Sequence, residues 1–244
     1  MAKLVQKSGY IKSGKASGYM RYIATREGVE KLVGNSAVTK GQRELIQKLL
    51  HDFPDAVELF EYEDYCRTPT LGTASAFISM ALDTNLHEID PESGYMQYIA
   101  TRPRVQKRGT HGLFSSATAV DLASAISELE AHEGNVWTII YSLRREDADR
   151  LEYDNADAWR TLLMENAPTL AKSMKISLDN FHWYAAFHDE GHHPHIHMMV
   201  WSDDPKEGFL TEDGIAAMRS KLTNAIFRDE MQQIYGRKDV AYSD

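Results

Sequence analysis

At 244 residues, with 43% apolar and 26% charged content, the chain is long enough for one large domain or two small ones and is ordinary in composition for a globular protein. It has no apolar run of bilayer-spanning length and no signal-peptide stretch, and the single cysteine, Cys66, excludes a disulfide framework and a cysteine-based zinc site, so a cytoplasmic setting is expected. The net charge of −9 lacks the basic excess of a typical nucleic-acid binder. The charge is uneven, however: residues 55–64 hold five acids and no base, while residues 102–108 hold Arg102, Arg104, Lys107 and Arg108 and no acid. A local basic patch is therefore compatible with an acidic whole.

In chain order, residues 3–12 alternate loosely around Val5, Tyr10 and Ile11 and predict a first strand. Residues 19–32 carry apolar positions at helical spacing behind Ser17, an N-cap type. A second helix is predicted over 39–53, stopped by Pro54, and another over 73–83; the acidic, aromatic segment VELFEYEDY between them reads as strand or loop. SGYMQYIATR at 93–102 then repeats SGYMRYIATR at 17–26 in nine of ten positions, so one tyrosine-bearing amphipathic helix is used twice. PRVQKRGTHGLFSS after the second copy reads as a basic loop. A helix over 117–132 and a strand over 135–143 follow, then short helices over 144–152, 156–164 and 169–174, and a long helix over 211–234. No Pro-, Gly- or Ser-rich linker divides the chain, which predicts a single α+β domain over 1–244 with a helical elaboration at about 33–92.

Six of the ten histidines fall within FHWYAAFHDEGHHPHIHMMVWS, residues 181–202. The flanking apolar runs read as two strands around a short polar turn. Alternation puts His195 and His197 on one face and Ile196 on the other, and a hairpin closing over 189–194 brings His188 opposite His195. Three imidazoles then converge, a donor set suited to a catalytic divalent metal with open positions. Asp189 and Glu190 are expected to act as acceptors that fix the ring tautomers. His192 and His193 are expected to be solvated turn residues, and Trp183, Tyr184 and Trp201 to pack the hairpin into the core.

The His195-Ile196-His197 pair with His188 upstream resembles the HUH motif of conjugative and mobilisation relaxases. Together with YIATREGVE, THGLFS, VWTIIYSLRRED and WYAAFHDEGHHPHIH, it resembles the MobP class over roughly 1–235. The resemblance implies a central antiparallel sheet that carries the histidines and is flanked by helices, with the helical elaboration inserted after the first helix. It also implies Mg²⁺ or Mn²⁺ as cofactor, and a tyrosine that nicks one strand of DNA at an origin of transfer and stays joined to its 5′ end. Single-stranded DNA, accessory relaxosome proteins and a coupling protein are the implied partners. By position on the first helix, Tyr22 is the expected nucleophile, with Tyr19 and Tyr98 as alternates. Arg26, Arg102, Arg104, Lys107, Arg108, His111, Arg144 and Arg145 are expected phosphate contacts. Two rivals share the histidines: a metallohydrolase using activated water, and a rolling-circle initiator, which would place its tyrosine after them, where only Tyr235 and Tyr242 stand.

Overall fold

The computed structural model describes residues 3–10, 36–85, 96, 99–100, 105–107, 110–132, 134–189 and 191–228. Among these, β1 (Val5–Tyr10) leads to α1 (Lys40–Asp52), a 3-10 turn (Pro54–Glu58), α2 (Phe60–Arg67) and α3 (Leu71–Asn85). The short strand β2 (Leu113–Phe114), α4 (Leu122–Glu130), β3 (Trp137–Ser142), α5 (Arg145–Arg150) and α6 (Ala156–Ser173) follow. The hairpin β4 (Phe181–His188) and β5 (His195–Ser202) and then α7 (Glu212–Ile226) complete the order.

The five strands form one sheet in the order β1-β3-β5-β4-β2, antiparallel at every pairing. This is the predicted α+β architecture, a central antiparallel sheet flanked by helices. β5 lies at its centre with all eight residues buried. Alternation divides the strand cleanly. Ile196, Met198 and Val200 join Tyr141, Trp183, Phe187 and the α6 and α7 residues Trp159, Leu163 and Met218 in one core. Met199 and Trp201 face the other way, against Met96, Ile99, Leu129 and Val105. The face opposite the main core is thus covered by the second copy of the repeated segment, in which Met96, Ile99 and Ala100 are helical and buried.

The helical elaboration has a core of its own, built from Leu49, Phe60, Phe77, Ile78 and Leu82, and it includes Val5 of β1. Polar anchors secure it to the same strand region. Lys7 Nζ, on a side chain only 9% exposed, reaches the carboxylates of Asp55 and Glu58 at 3.2 and 3.3 Å, and Lys3 pairs with Glu63 at 2.8 Å. The helix starts follow sequence signals. Thr39 and Gln42 form a capping box on α1, and Asp121, Asn155 and Thr211 cap α4, α6 and α7.

Three expectations are corrected. The VELFEYEDY segment is neither strand nor loop but the end of the 3-10 turn and most of α2. The basic stretch after the repeat contains β2, which pairs with Ala185 and Ala186 at the edge of the sheet. The helices predicted over 156–164 and 169–174 are one helix, α6, running through Pro168. Proline removes one backbone donor, leaving the carbonyl four residues earlier without its helical bond. Met164, the residue concerned, lies on the solvent-exposed face, so its carbonyl is not left unpartnered in an apolar interior. Long apolar periodicity then outweighs a single break.

Candidate metal centre

The hairpin register is the predicted one: His188 lies directly opposite His195, and His197 lies opposite Ala186 on β4 and Ile140 on β3. All three histidines are fully buried. Their ring centroids form a near-equilateral triangle with sides of 5.2, 5.1 and 4.6 Å. One ligand atom from each lies within 4.8 Å of the others, so a small inward adjustment of the rings would let the three nitrogens share one ion at bonds of about 2.1 Å.

The outer contacts set the chemistry of the rings. His188 Nε2 is 2.9 Å from the Ile99 carbonyl, and His195 Nδ1 is 3.0 Å from the carbonyl of His193. A carbonyl can only accept, so each of these nitrogens carries the proton, leaving the lone pair on His188 Nδ1 and His195 Nε2. Imidazoles held in one neutral tautomer by an outer acceptor are the form in which histidine binds metal. The donor set therefore fits a divalent cation, with an all-imidazole set favouring Mn²⁺ and heavier ions over Mg²⁺, which prefers oxygen.

For His188 and His195 the acceptors are backbone carbonyls and not the carboxylate of Asp189. Asp189 turns outward and meets Arg145 Nη2 at 2.5 Å; Glu190 lies outside the described residues. Arg145 also reaches the Gly191 carbonyl through Nε at 3.1 Å, and its backbone N–H donates to the His192 carbonyl. It therefore grips the β4–β5 turn. Arg144, the other candidate phosphate contact on this segment, pairs with Glu63 at 2.9 Å and Asp64 at 3.3 Å.

His193 is also corrected. It is buried, not solvated, with its ring stacked on Phe60 at 5.3 Å and Nε2 2.7 Å from Asp64 Oδ2. Burial pushes its pKa down to about 4, against the pull of Asp64. Burial also disfavours the charged Asp64, but its bonds to His193 and Arg144 prevail and hold its carboxyl below the usual range. At neutral pH a neutral imidazole therefore donates to a carboxylate.

His111 is buried as well. Its Nε2 bonds the Val120 carbonyl and its Nδ1 accepts from Leu113 N–H, so its ring organises β2 and is not available to phosphate. Lys107 is exposed. It follows Val105 and Gln106, which continue the sheet beside β4 through a Val105–His188 bridge and a bond from Gln106 N–H to the Phe187 carbonyl. Trp183 and Trp201 are core residues as expected. Tyr184 donates to Glu128 at 2.8 Å, and burial followed by that carboxylate raises its pKa well above the ordinary value. Tyr19, Tyr22, Tyr98, Arg26, Arg102, Arg104 and Arg108 lie outside the described residues. Sequence reasoning missed Asp64 and Phe60, to which no motif points, and the Ile99 carbonyl, to which the repeat was the one clue.

Among the described residues no helix is long and apolar enough to cross a membrane. No curated protein and no solved structure matches the chain. A family model, that of the MobL relaxases, matches residues 1–241. With nearly its whole length covered and a three-histidine centre in its sheet, the chain belongs to the MobL relaxases.

Proposed function

We propose that the chain nicks one strand of DNA at an origin of transfer by metal-assisted tyrosine attack and rejoins it after conjugative transfer. The observation that carries this reading is the buried triangle of His188, His195 and His197 in a relaxase-family chain. The histidine pair around Ile196 and the quoted segments support a finer placement in the HUH superfamily and the MobP class. Cytoplasmic action on single-stranded DNA, with accessory relaxosome and coupling proteins, belongs to the same reading.

His188, His195 and His197 would hold the divalent ion, which supplies polarisation of the scissile phosphate and neutralisation of its developing charge. The three histidines bring no negative charge of their own, so the ion's positive charge stays directed at the phosphate. Tyr22 is the nucleophile of this reading, with Tyr19 and Tyr98 as alternates; Tyr98 adjoins Ile99, whose carbonyl accepts from His188. The phenol gives up its proton as its oxygen bonds to phosphorus, the bond from phosphorus to the 3′ oxygen breaks, and that oxygen takes up a proton to leave as a hydroxyl, so the step is proton-neutral. The product is a 5′-phosphotyrosine. A phenol, with a pKa of about 10, is a better leaving group than an alkoxide, so the reverse attack by the 3′-hydroxyl needs no external energy source. Arg26, Arg102, Arg104, Lys107 and Arg108 are assigned to phosphate contacts. Arg144 and Arg145 would do so only by exchanging carboxylate partners.

The test is a denaturing gel after incubation with Mn²⁺ and an origin-containing single-stranded oligonucleotide. A protein–DNA adduct that disappears in Tyr22→Phe is expected. Cleavage without an adduct would establish the metallohydrolase instead, and an adduct that survives Tyr22→Phe would move the nucleophile to Tyr98 or Tyr19.

A further inference from the structure

The contact between α2 and the β4–β5 turn lies outside the chemistry described above. Phe60, Glu63 and Asp64 are spaced i, i+3 and i+4 along α2 and so share one helical face. That face meets the turn and the start of α5. Phe60 receives the His193 ring in a stack and the Arg144 guanidinium at 4.6 Å from its centroid. Glu63 and Asp64 hold Arg144, and Asp64 bonds His193. His193 in turn offers its backbone carbonyl to His195 Nδ1. The turn is gripped from its other side by Arg145 and by the bond from Leu143 N–H to the Pro194 carbonyl.

We propose that Asp64 is a positioning residue for the metal centre. By fixing the His193 ring from the helical elaboration, it holds the His193 carbonyl where it sets the tautomer and orientation of His195. The proposal rests on the reading of His188, His195 and His197 as metal ligands. The physical reason is that a carbonyl in an irregular turn is only as well placed as the backbone around it. In regular strand the ladder fixes each carbonyl; at His193, between the two strands, a side-chain anchor takes over that role. A charge-assisted bond 2.7 Å long, shielded by an aromatic stack, is a strong anchor of this kind. The elaboration then contributes to the site without supplying a ligand.

Two readouts test this, one independent of any metal. Long-range imidazole ¹H–¹⁵N correlation on metal-free protein reports the His195 tautomer, and EPR titration reports Mn²⁺ affinity. Wild type should show His195 protonated at Nδ1 alone. Asp64→Ala should mix the tautomers and weaken Mn²⁺ binding by roughly tenfold or more, the usual scale for an outer partner of a ligand. His193→Phe, which keeps the ring stack but not the bond, should do the same, and it carries the test if Asp64→Ala fails to fold. Glu63→Gln removes charge from the same helix face without touching His193 and should behave as wild type. Unchanged tautomer and affinity in a folded Asp64→Ala or His193→Phe protein would overturn the proposal, as would an equal loss in Glu63→Gln. If wild type takes up no Mn²⁺ yet Asp64→Ala still mixes the His195 tautomers, the positioning stands and the metal reading falls.

Discussion

His188 and His195 stand opposite one another across the last pair of the β4–β5 hairpin, their ring centroids 5.2 Å apart and both rings fully buried. Each donates a ring proton to a backbone carbonyl, which leaves the lone pair on its other ring nitrogen, and one ligand atom from each of these two and from His197 lies within 4.8 Å of the others. Binding to this preformed set should stabilise the fold. At a free Mn²⁺ concentration about a hundred times Kd, one-site linkage adds about 2.7 kcal/mol, or roughly 5–10 °C in Tm for a chain of this size. His197→Ala should lose that increment. A Tm rise in His197→Ala equal to wild type would place the bound ion elsewhere.

Gly112 lies where the backbone of the segment after the repeat crosses Val105. A Cβ there would stand 2.1 Å from Val105 Cγ2 and 3.2 Å from the Gln106 carbonyl. Valine has no flexible end to swing aside, and Val105 is bridged to His188. Gly112→Ala should therefore destabilise the protein by about 1–3 kcal/mol, the usual scale of overpacking, measured by urea denaturation. Wild-type stability would mean that this segment yields freely.

Pro168 gives a prediction of opposite sign. In the middle of α6 it forfeits the bond to the Met164 carbonyl, and proline is about 3 kcal/mol less favourable than alanine in a helix interior. Its restriction of the unfolded chain returns about 0.4–1 kcal/mol. Pro168→Ala should raise stability by about 2 kcal/mol. A fall in the denaturation midpoint would show that the ring makes packing contacts outweighing the lost bond.

Acid sensitivity should trace in part to Glu207. Its Oε2 accepts from Ser202 Oγ at 2.6 Å at the end of β5, and from Asn180 and the backbone of Ser177. These bonds, that of Ser202 first, hold its carboxyl below the ordinary glutamate range. The native state then binds fewer protons than the unfolded state, so the stability Glu207 contributes is complete above that ordinary range and is lost as pH falls through the folded value. Between neutrality and about pH 3, wild type should lose more Tm than Glu207→Gln. An identical loss in the two proteins would remove Glu207 from the acid response.

The metal histidines were legible because one local rule governs them: strand alternation, together with a turn bounded by Gly191 and Pro194, fixes which rings share a face and which oppose. The starts of α1, α6 and α7 were legible for the same reason, since Thr39, Asn155 and Thr211 act on residues three positions ahead, whereas α4 begins behind Asp121, five residues later than the predicted start at 117. His193 was not legible. Its burial depends on Phe60 and Asp64, which lie far away in sequence on a helix whose acidic, aromatic composition suits a strand or a loop as well. Asp189 was misread because sequence adjacency to His188 says nothing about Arg145, which approaches from another element. β2 was hidden because two residues have no periodicity. Pro168 misled because whether its missing bond matters depends on which face of the helix meets water.

One ion between three imidazoles is the centre of the proposed chemistry. Crystals grown with Mn²⁺ and measured at its absorption edge locate that ion directly. One anomalous peak within bonding distance of His188 Nδ1, His195 Nε2 and His197, absent from His197→Ala crystals, is the predicted result. A peak held elsewhere, or none at this triangle at saturating Mn²⁺, would contradict it.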